Sequence, residues 1–336
     1  MKKPTMRDIA RAAGTSAVTV SKALGGQPGM SEETRNRIVQ IAEELGYEYP
    51  VGKRTEPVKR HLDIGILIPD RYFDTNSYYS EMYRQLVRKL TERGNFGVLE
   101  ILTRENEQQL VVPNLMQSGR VDGMIILGEP DKTYYRMLSR QETPLVFLDF
   151  YDEQANADAV VGDNTYGTYR LTSHLIRLGH SRIGFVGNQC ATESIMDRYL
   201  GFYRAMLVHG LPVKPEWILP DRKEDSGLYP PELPEDMPDA LVCNCDLTAR
   251  MMITLLRGKG FRVPEDVTVT GFDNFPPGGE DDFPLSTFRI DMESMVDMAV
   301  KMIMERCAGS DKPFSRMVIG GQPVYRDEGT RVKSGE

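Results

Sequence analysis

Apolar positions recur with two different spacings along the chain, and the change of spacing divides it into two parts. Between residues 5 and 46, apolar side chains lie three or four positions apart, which is typical of one face of a helix. They predict three short helices, carried by Ile9, Ala10 and Ala13, by Val20 and Leu24, and by Ile38, Ile41, Ala42 and Leu45. From residue 62 onward, short continuous apolar runs alternate with helix-like stretches, which indicates buried parallel strands joined by helices.

Capping residues mark where the three N-terminal helices begin. Thr5, with Asp8 three residues later, Ser16 and Ser31 are suitable N-caps, and Gly14 separates the first two helices. Two short helices joined by a glycine-containing turn form the helix-turn-helix pattern, whose second helix lies in the DNA major groove. The outer face of that second helix is small-sided and not acidic, as groove reading requires, with Ala17, Val18, Ser21 and Lys22. On this stretch alone, a two-helix hairpin of any bundle remains an alternative.

The runs in the body predict two wound units of about 100 residues each. Strands are expected at 62–69, 96–102, 121–127, 144–149, 159–162, 182–187, 239–243 and 267–271. Helices are expected between them at 78–93, 106–118, 132–141, 164–179, 193–209, 246–260 and 291–307. This succession predicts doubly wound parallel sheets. A linker is expected before the first of these strands, because that stretch contains Pro50, Gly52 and Pro57 and almost no apolar residue.

Charge is distributed unevenly along the 336 residues. Residues 1–60 hold eleven basic and seven acidic residues, a net charge of +4, whereas the remaining 30 basic and 42 acidic residues give −12. A basic head on an acidic body is expected where one end of a protein meets phosphates.

Ligands of doubly wound sheets bind outside the carboxyl ends of the strands. In the first unit those ends carry Asp70, Phe73, Glu129, Asp149, Phe150 and Tyr151, and in the second they carry Asn188, Gln189, Asn244, Cys245, Asp246, Asp273 and Asn274. Acids and amides near aromatic rings suit a polyhydroxylated ligand, because carboxylates accept hydroxyl hydrogen bonds and a ring covers an apolar sugar face. Each such Asp could equally cap the helix that follows it.

Enzyme classes find little support. There is no GxSxG, no P-loop and no GxGxxG opening the first unit, and the four histidines are not spaced as metal ligands. No catalytic residue, cofactor or metal is therefore expected. The four cysteines form no Cys-x-x-Cys pair, and no signal peptide or membrane-length apolar run is present, so we expect a cytoplasmic protein without a membrane segment.

Three N-terminal blocks resemble the lactose-repressor (LacI/GalR) family of bacterial transcription regulators. They are TMRDIARAAGTS, TVSKAL and SEETRNRIVQIAEELGY, in this order and spacing. The body resembles the same family at HLIRLGHSRIGFVG, RYLGF, VTVTGFDN and PLSTF, so the likeness spans nearly the whole chain.

The resemblance implies a helix-turn-helix domain followed by a periplasmic-binding-protein-like body of two lobes joined by three crossovers. The expected parts are residues 1–49 for the DNA-binding domain, 50–61 for a linker or hinge, 62–162 with 289–320 for the N-terminal lobe, and 163–288 with 321–330 for the C-terminal lobe. The expected function is that of a homodimeric repressor of carbohydrate-use genes, which binds a near-palindromic operator and is controlled by a small molecule, a sugar or sugar derivative, held between the lobes. The competing hypothesis is a solute-binding protein without a regulatory role.

The resemblance also assigns site residues. The base-reading positions are Ala17, Val18 and Lys22, and phosphate contacts are expected from Thr5, Ser16, Thr19, Ser21, Ser31 and Thr34. The resemblance implies effector contacts from Asp149, Arg198 and Asp273. The ends of the strands add Asp70, Phe73, Tyr151, Asn244 and Asp246 as further candidates.

The chain departs from the family pattern at three places. Cys245, a poor hydrogen-bonder, occupies a position where an asparagine often touches ligand, so Asn244 could take over that contact. The Pro-rich stretch 220–238 replaces a segment that often donates an aromatic ring. The linker lacks the leucine that wedges into the minor groove, so Lys53, Arg54, Lys59 and Arg60 are expected to act on phosphates instead.

Overall fold

The computed structural model describes residues 4–24, 30–45, 47, 61–74, 77–222, 227–275 and 285–326. The chain separates into two compact units, Met1–Arg60 and His61–Glu336. Nearly all of the predicted linker, including its four basic residues at 53, 54, 59 and 60, lies outside the described residues.

The first unit is a bundle of three helices: α1 (Met6–Ala13), α2 (Ala17–Leu24) and α3 (Glu32–Glu44). They pack around a small core of Ile9, Ala10, Val20, Ala23, Ile38 and Ala42. Gly14 ends α1 in the left-handed conformation, with φ of 65°, which a glycine adopts without steric cost. The chain therefore turns at once into α2.

The first lobe of the second unit is built on a six-stranded parallel sheet in the order β11-β5-β4-β3-β1-β2. Its strands are β1 (Asp63–Pro69), β2 (Phe96–Leu102), β3 (Gly123–Leu127), β4 (Leu145–Leu148), β5 (Asp158–Gly162) and β11 (Arg316–Ile319). Its helices are α4 (Tyr78–Glu92), α5 (Arg104–Gln108), α6 (Asn114–Gln117), α7 (Lys132–Leu138) and α11 (Met292–Cys307). Two apolar cores cover the two faces of this sheet.

The second lobe repeats the arrangement with a four-stranded parallel sheet in the order β7-β6-β8-β9. The strands are β6 (Ile183–Val186), β7 (Ile218–Leu219), β8 (Ala240–Cys243) and β9 (Thr268–Thr270), and the helices are α8 (Asn164–Arg177), α9 (Glu193–Val208) and α10 (Asp246–Gly258). Short 3₁₀ turns occupy Asp70–Tyr72 and Pro215–Trp217.

The chain passes between the lobes three times. The first passage leads from β5 into α8, and the other two use β10 (Thr287–Ile290) and β12 (Gly321–Val324), which pair antiparallel with each other. The second lobe is therefore inserted within the sequence of the first, whose last helix and sixth strand come after it. The helical N-terminal unit, followed in the sequence by this α/β architecture, confirms the predicted fold class.

One predicted helix is wrong in detail. Residues 106–118 do not form a single helix, because Pro113 has no N–H to continue α5 and instead precedes α6. Leu110, between the two, takes a positive φ of 56°. Within the described residues, no helix is long and apolar enough to cross a bilayer.

Candidate functional site

The N-terminal bundle presents one face of α2 to its surroundings. Val20 and Ala23 turn inward to the core, which leaves Val18, Ser21 and Lys22 on the outside. Val18 is 66% exposed, a large fraction for an apolar side chain near the start of a helix. A methyl-bearing side chain beside a cationic one can contact thymine methyls and guanine acceptors.

The hydroxyl residues predicted to meet phosphate lie mostly at helix starts. The Oγ of Ser16 accepts from the backbone N–H of Thr19 at 3.1 Å, and the Oγ of Ser31 accepts from that of Thr34 at 3.3 Å. Thr5 precedes α1, and its hydroxyl donates to Asp8 at 2.6 Å. Unpaired backbone N–H groups at such helix starts attract anions.

In the second unit, Asp149 lies where β4 ends. It is 6% exposed, and the hydroxyl of Tyr79 donates to its Oδ2 at 2.8 Å. Burial raises the pKa of Asp149 to about 6. Its backbone is left-handed, with φ of 75°, and Asp273 at the matching edge of the second lobe has φ of 94°. Such conformations are costly for residues other than glycine and cluster at functional sites.

Arg198 of α9 is fixed in the second lobe by several partners. Its Nη2 lies 3.0 Å from Oδ1 of Asp273, its Nε donates to Asn164 at 2.8 Å, and its Nη1 donates to the carbonyl of Asn244 at 2.7 Å. The guanidinium carbon lies 4.1 Å from the ring centre of Phe272. Asp149 of the first lobe and Asp273 both act electrostatically on Arg198. The three effector candidates thus converge between the lobes.

The further candidates occupy different places. Tyr151 directs its hydroxyl at Asp197 of the second lobe, with an O–O distance of 3.4 Å. Asp70 is exposed in the 3₁₀ turn after β1, and Phe73 packs edge-on against Tyr83 at the margin of the core.

Two of the further effector candidates, Asn244 and Asp246, are held by hydrogen bonds within the second lobe. The Nδ2 of buried Asn244 donates to Asp221 at 2.6 Å and to the carbonyl of Val186 at 3.0 Å, so its amide is occupied within the second lobe. Asp246 accepts from the hydroxyl of Thr287 at 2.7 Å and from the backbone N–H of Phe275 at 3.0 Å. Because these bonds use its two oxygens, Asp246 anchors β10, and burial raises its pKa to about 7.

Sequence reasoning missed two residues of the cleft. The Nε and Nη2 of Arg222 donate hydrogen bonds to Asp221 at 3.0 and 2.7 Å. The charge of Arg222 interacts electrostatically with Tyr72 of the first lobe and with Asp273. The hydroxyl of Tyr78 is buried without a hydrogen-bond partner among the described residues and interacts electrostatically with Asp149, Asp273 and Arg198. Arg222 follows a two-residue strand, which is too short to show a period, whereas Tyr78 opens α4 and reads as part of its apolar face.

Comparisons with known proteins fit this arrangement. Residues 5–49 match the model of bacterial regulatory proteins of the lacI family, and residues 172–327 match the periplasmic binding protein-like domain. Curated relatives include the HTH-type transcriptional repressor PurR of Aliivibrio salmonicida (strain LFI1238), 26% identical over 95% of this chain and 96% of the relative. PurR of Haemophilus influenzae (strain PittEE) is 26% identical over 96% and 97%.

Solved structures show the same fold. A complex of the transcriptional regulator CelR with cellobiose aligns with a TM-score of 0.67 at 23% identity, over 97% of this chain and 100% of the other. The lac repressor dimer bound to operator and the anti-inducer ONPF aligns with a TM-score of 0.64 at 19% identity, over 99% and 100%.

A helix-turn-helix head and a two-lobed body with a polar cleft, together with these relatives, define an effector-controlled, DNA-binding transcriptional regulator rather than an enzyme. The hypothesis of a solute-binding protein leaves residues 5–49 unexplained. Residues 5–49 form a DNA-binding domain of the lacI family of bacterial regulatory proteins, and residues 172–327 form a periplasmic binding protein-like domain.

Proposed function

We propose that this regulator is a homodimeric repressor of carbohydrate-use genes and that its effector is a sugar or sugar derivative bound between the lobes. The observation that carries the effector assignment is the convergence of Asp149 from one lobe with Arg198 and Asp273 from the other. A ligand that bridges groups on two lobes favours one arrangement of them, which is the differential affinity that a switch requires.

The chemistry of the cleft supports a polyhydroxylated ligand. Asp149 and Asp273 accept hydrogen bonds from hydroxyls, and the guanidinium groups of Arg198 and Arg222 donate to oxygen. The hydroxyl of Tyr78, which has no partner in the described part of the chain, adds a group that can donate or accept, and Phe275 packs edge-on against its ring at 5.9 Å. The complex of CelR with cellobiose, which shares this fold, is in keeping with such a ligand.

For the head we propose that Ala17, Val18 and Lys22 read bases, and that Thr5, Ser16, Thr19, Ser21, Ser31 and Thr34 contact phosphates. One short helix covers few base edges, so a dimer on a near-palindromic site supplies the selectivity. Operator binding also implies that the protein works in the cytoplasm. The apolar side chains of α4 do not support a dimer interface on this helix, because Met82, Leu86 and Leu90 are buried in the core of their own lobe.

The test measures operator binding by the helical head and effector binding by the body together. Operator sequences are selected from random duplexes, and their affinity is measured with and without mono- and disaccharides, sugar phosphates and purines. Thermal shift identifies the binders first, since a ligand stabilises the state it binds. We expect a palindromic consensus, a dimer by light scattering and a response to a sugar. A response to purines alone would refute the carbohydrate assignment, and a monomer at micromolar concentration would refute the dimer.

A further inference from the structure

The first lobe contacts the N-terminal turns of α9 at two separate points, apart from the three proposed effector contacts. At the first point, Oε2 of Glu129 accepts a hydrogen bond from the backbone N–H of Glu193 at 2.8 Å. The ammonium of Lys132 lies 3.6 Å from Oε1 of Glu193. A carboxylate that follows β3 in one lobe thus completes the capping of a helix in the other.

The hydrogen bond to Glu129 satisfies a backbone N–H group in the first turn of α9. The first N–H groups of a helix have no intrahelical partner, and Thr192 satisfies only that of Ile195, through its side chain at 3.2 Å. The N–H of Glu193 is bonded across the cleft instead. A carboxylate at a helix N-terminus also interacts favourably with the helix dipole.

The second point lies one helical turn further along α9. The hydroxyl of Tyr151 is 3.4 Å from Oδ1 of Asp197, and the guanidinium carbon of Arg316, in β11, lies 4.2 Å from the ring centre of Tyr151. The charge of Arg316 also acts on Asp197. Arg198 follows Asp197 directly, so a displacement of α9 from the first lobe carries Arg198 away from Asp149.

We propose that Glu129, Lys132, Tyr151 and Arg316 form an interlobe clasp on Glu193 and Asp197 of α9, which holds the cleft closed and sets the closed population before any ligand binds. The clasp does not depend on the identity of the effector. It determines how far an effector has to shift the equilibrium between open and closed forms.

The test measures the distance between the lobes in the full chain without ligand. Spin labels are placed at Gln141→Cys and His209→Cys, both exposed, with Cys190→Ser to remove the exposed native thiol. We expect Glu129→Ala to lower the closed-to-open ratio by about threefold or more at pH 6, where Glu129 is largely protonated in the closed form, because the N–H of Glu193 loses its acceptor. Tyr151→Phe shifts the ratio in the same direction by a smaller factor.

Two variants separate the clasp from general destabilisation. Glu129→Gln keeps an oxygen that accepts from Glu193 and is expected to retain the closed distance. Glu105→Ala removes an exposed carboxylate of the same lobe and is expected to change nothing. Wild-type distance distributions for both Glu129→Ala and Tyr151→Phe would overturn the proposal. So would a Glu129→Gln variant that opens as far as Glu129→Ala.

Discussion

At the scale of single residues, the cleft is organised by a buried arginine whose charge is balanced within its own lobe. Arg198 and Asp273 are both largely buried, with side chains 7% and 13% exposed. Removal of one member of such a pair leaves an uncompensated charge in the interior, which costs more than the pair itself contributes. The proposed effector contacts Arg198 and Asp273 therefore also contribute to the stability of the lobe.

We predict that Arg198→Ala lowers the free energy of unfolding by about 3–5 kcal/mol, because Asp273 is left buried without its cation. Arg198→Ala combined with Asp273→Ala is expected to cost less than the sum of the two single changes. Urea denaturation of the four proteins measures the difference. Arg204→Ala, at an exposed site on the same helix, is the control and should cost about 1 kcal/mol or less. Additive costs would show that the two charges do not interact.

Lys22 allows a second prediction at this scale. Its side chain is exposed on the outer face of α2, and we propose that its ammonium donates to guanine acceptors. Lys22→Ala is expected to weaken binding of the selected operator by about 1–3 kcal/mol and to relax preference at one base position per half-site. Affinities for operators with single base changes measure this. An equal loss on every sequence would make Lys22 a phosphate contact.

At the scale of elements, α8 and α9 approach so closely that a glycine is required between them. A Cβ built on Gly201 of α9 would lie 2.2 Å from the carbonyl oxygen of Thr165 in α8. Gly258, the last residue of α10, faces open space. Both glycines lie in helices, but only Gly201 is packed against a neighbour. Alanine substitutions at the two positions therefore distinguish the effect of packing on stability from that of helix propensity.

We predict that Gly201→Ala destabilises the protein by about 1–3 kcal/mol or more, because the helices have to move apart. Gly258→Ala should gain up to about 1 kcal/mol, since alanine favours the helix and meets no neighbour. Thermal unfolding followed by circular dichroism gives both values. Equal effects of the two substitutions would contradict the close approach.

Most elements could be predicted from the sequence because their apolar periods are long and regular. Strands β7, β10, β11 and β12 could not be predicted, since β7 has only two residues and the other three mix polar with apolar side chains. Their pairing is set by segments distant in sequence. The same limit applies to the cleft. Asp149 and Asp273 follow strands that are visible in the sequence, whereas the contribution of Tyr78 and Arg222 depends on how two lobes meet. The bonds of Asn244 to Val186 and Asp221 likewise join segments distant in sequence.

At the scale of the whole molecule, the interface between the lobes buries carboxylates that solvent would otherwise reach. Burial raises the pKa of Glu129 to about 7, opposed by the bond from Glu193 and by Lys132, and that of Asp149 to about 6, opposed by Arg198. An open cleft hydrates these groups and returns each pKa toward its usual value near 4. The closed form thus binds more protons than the open form between about pH 4 and 7.

It follows that acid favours closure. A group whose pKa is higher in the closed form stabilises that form below its closed-form pKa and loses the contribution as pH rises through it. We predict that the closed fraction of the spin-labelled body rises when the pH falls from 8 to 6. Glu129→Gln should flatten this dependence. A closed fraction that rises with pH would contradict the prediction.

The insertion of one lobe within the other has a consequence for synthesis on the ribosome. Domains generally fold in the order in which they emerge. Here β9 completes the second sheet by residue 270, whereas the first sheet waits for β11 at residues 316–319. The lobe that is begun first is finished last, and until then β5 exposes an unpaired edge that invites pairing with another nascent chain. During synthesis, the second lobe therefore has to fold beside a first lobe that still lacks its last strand.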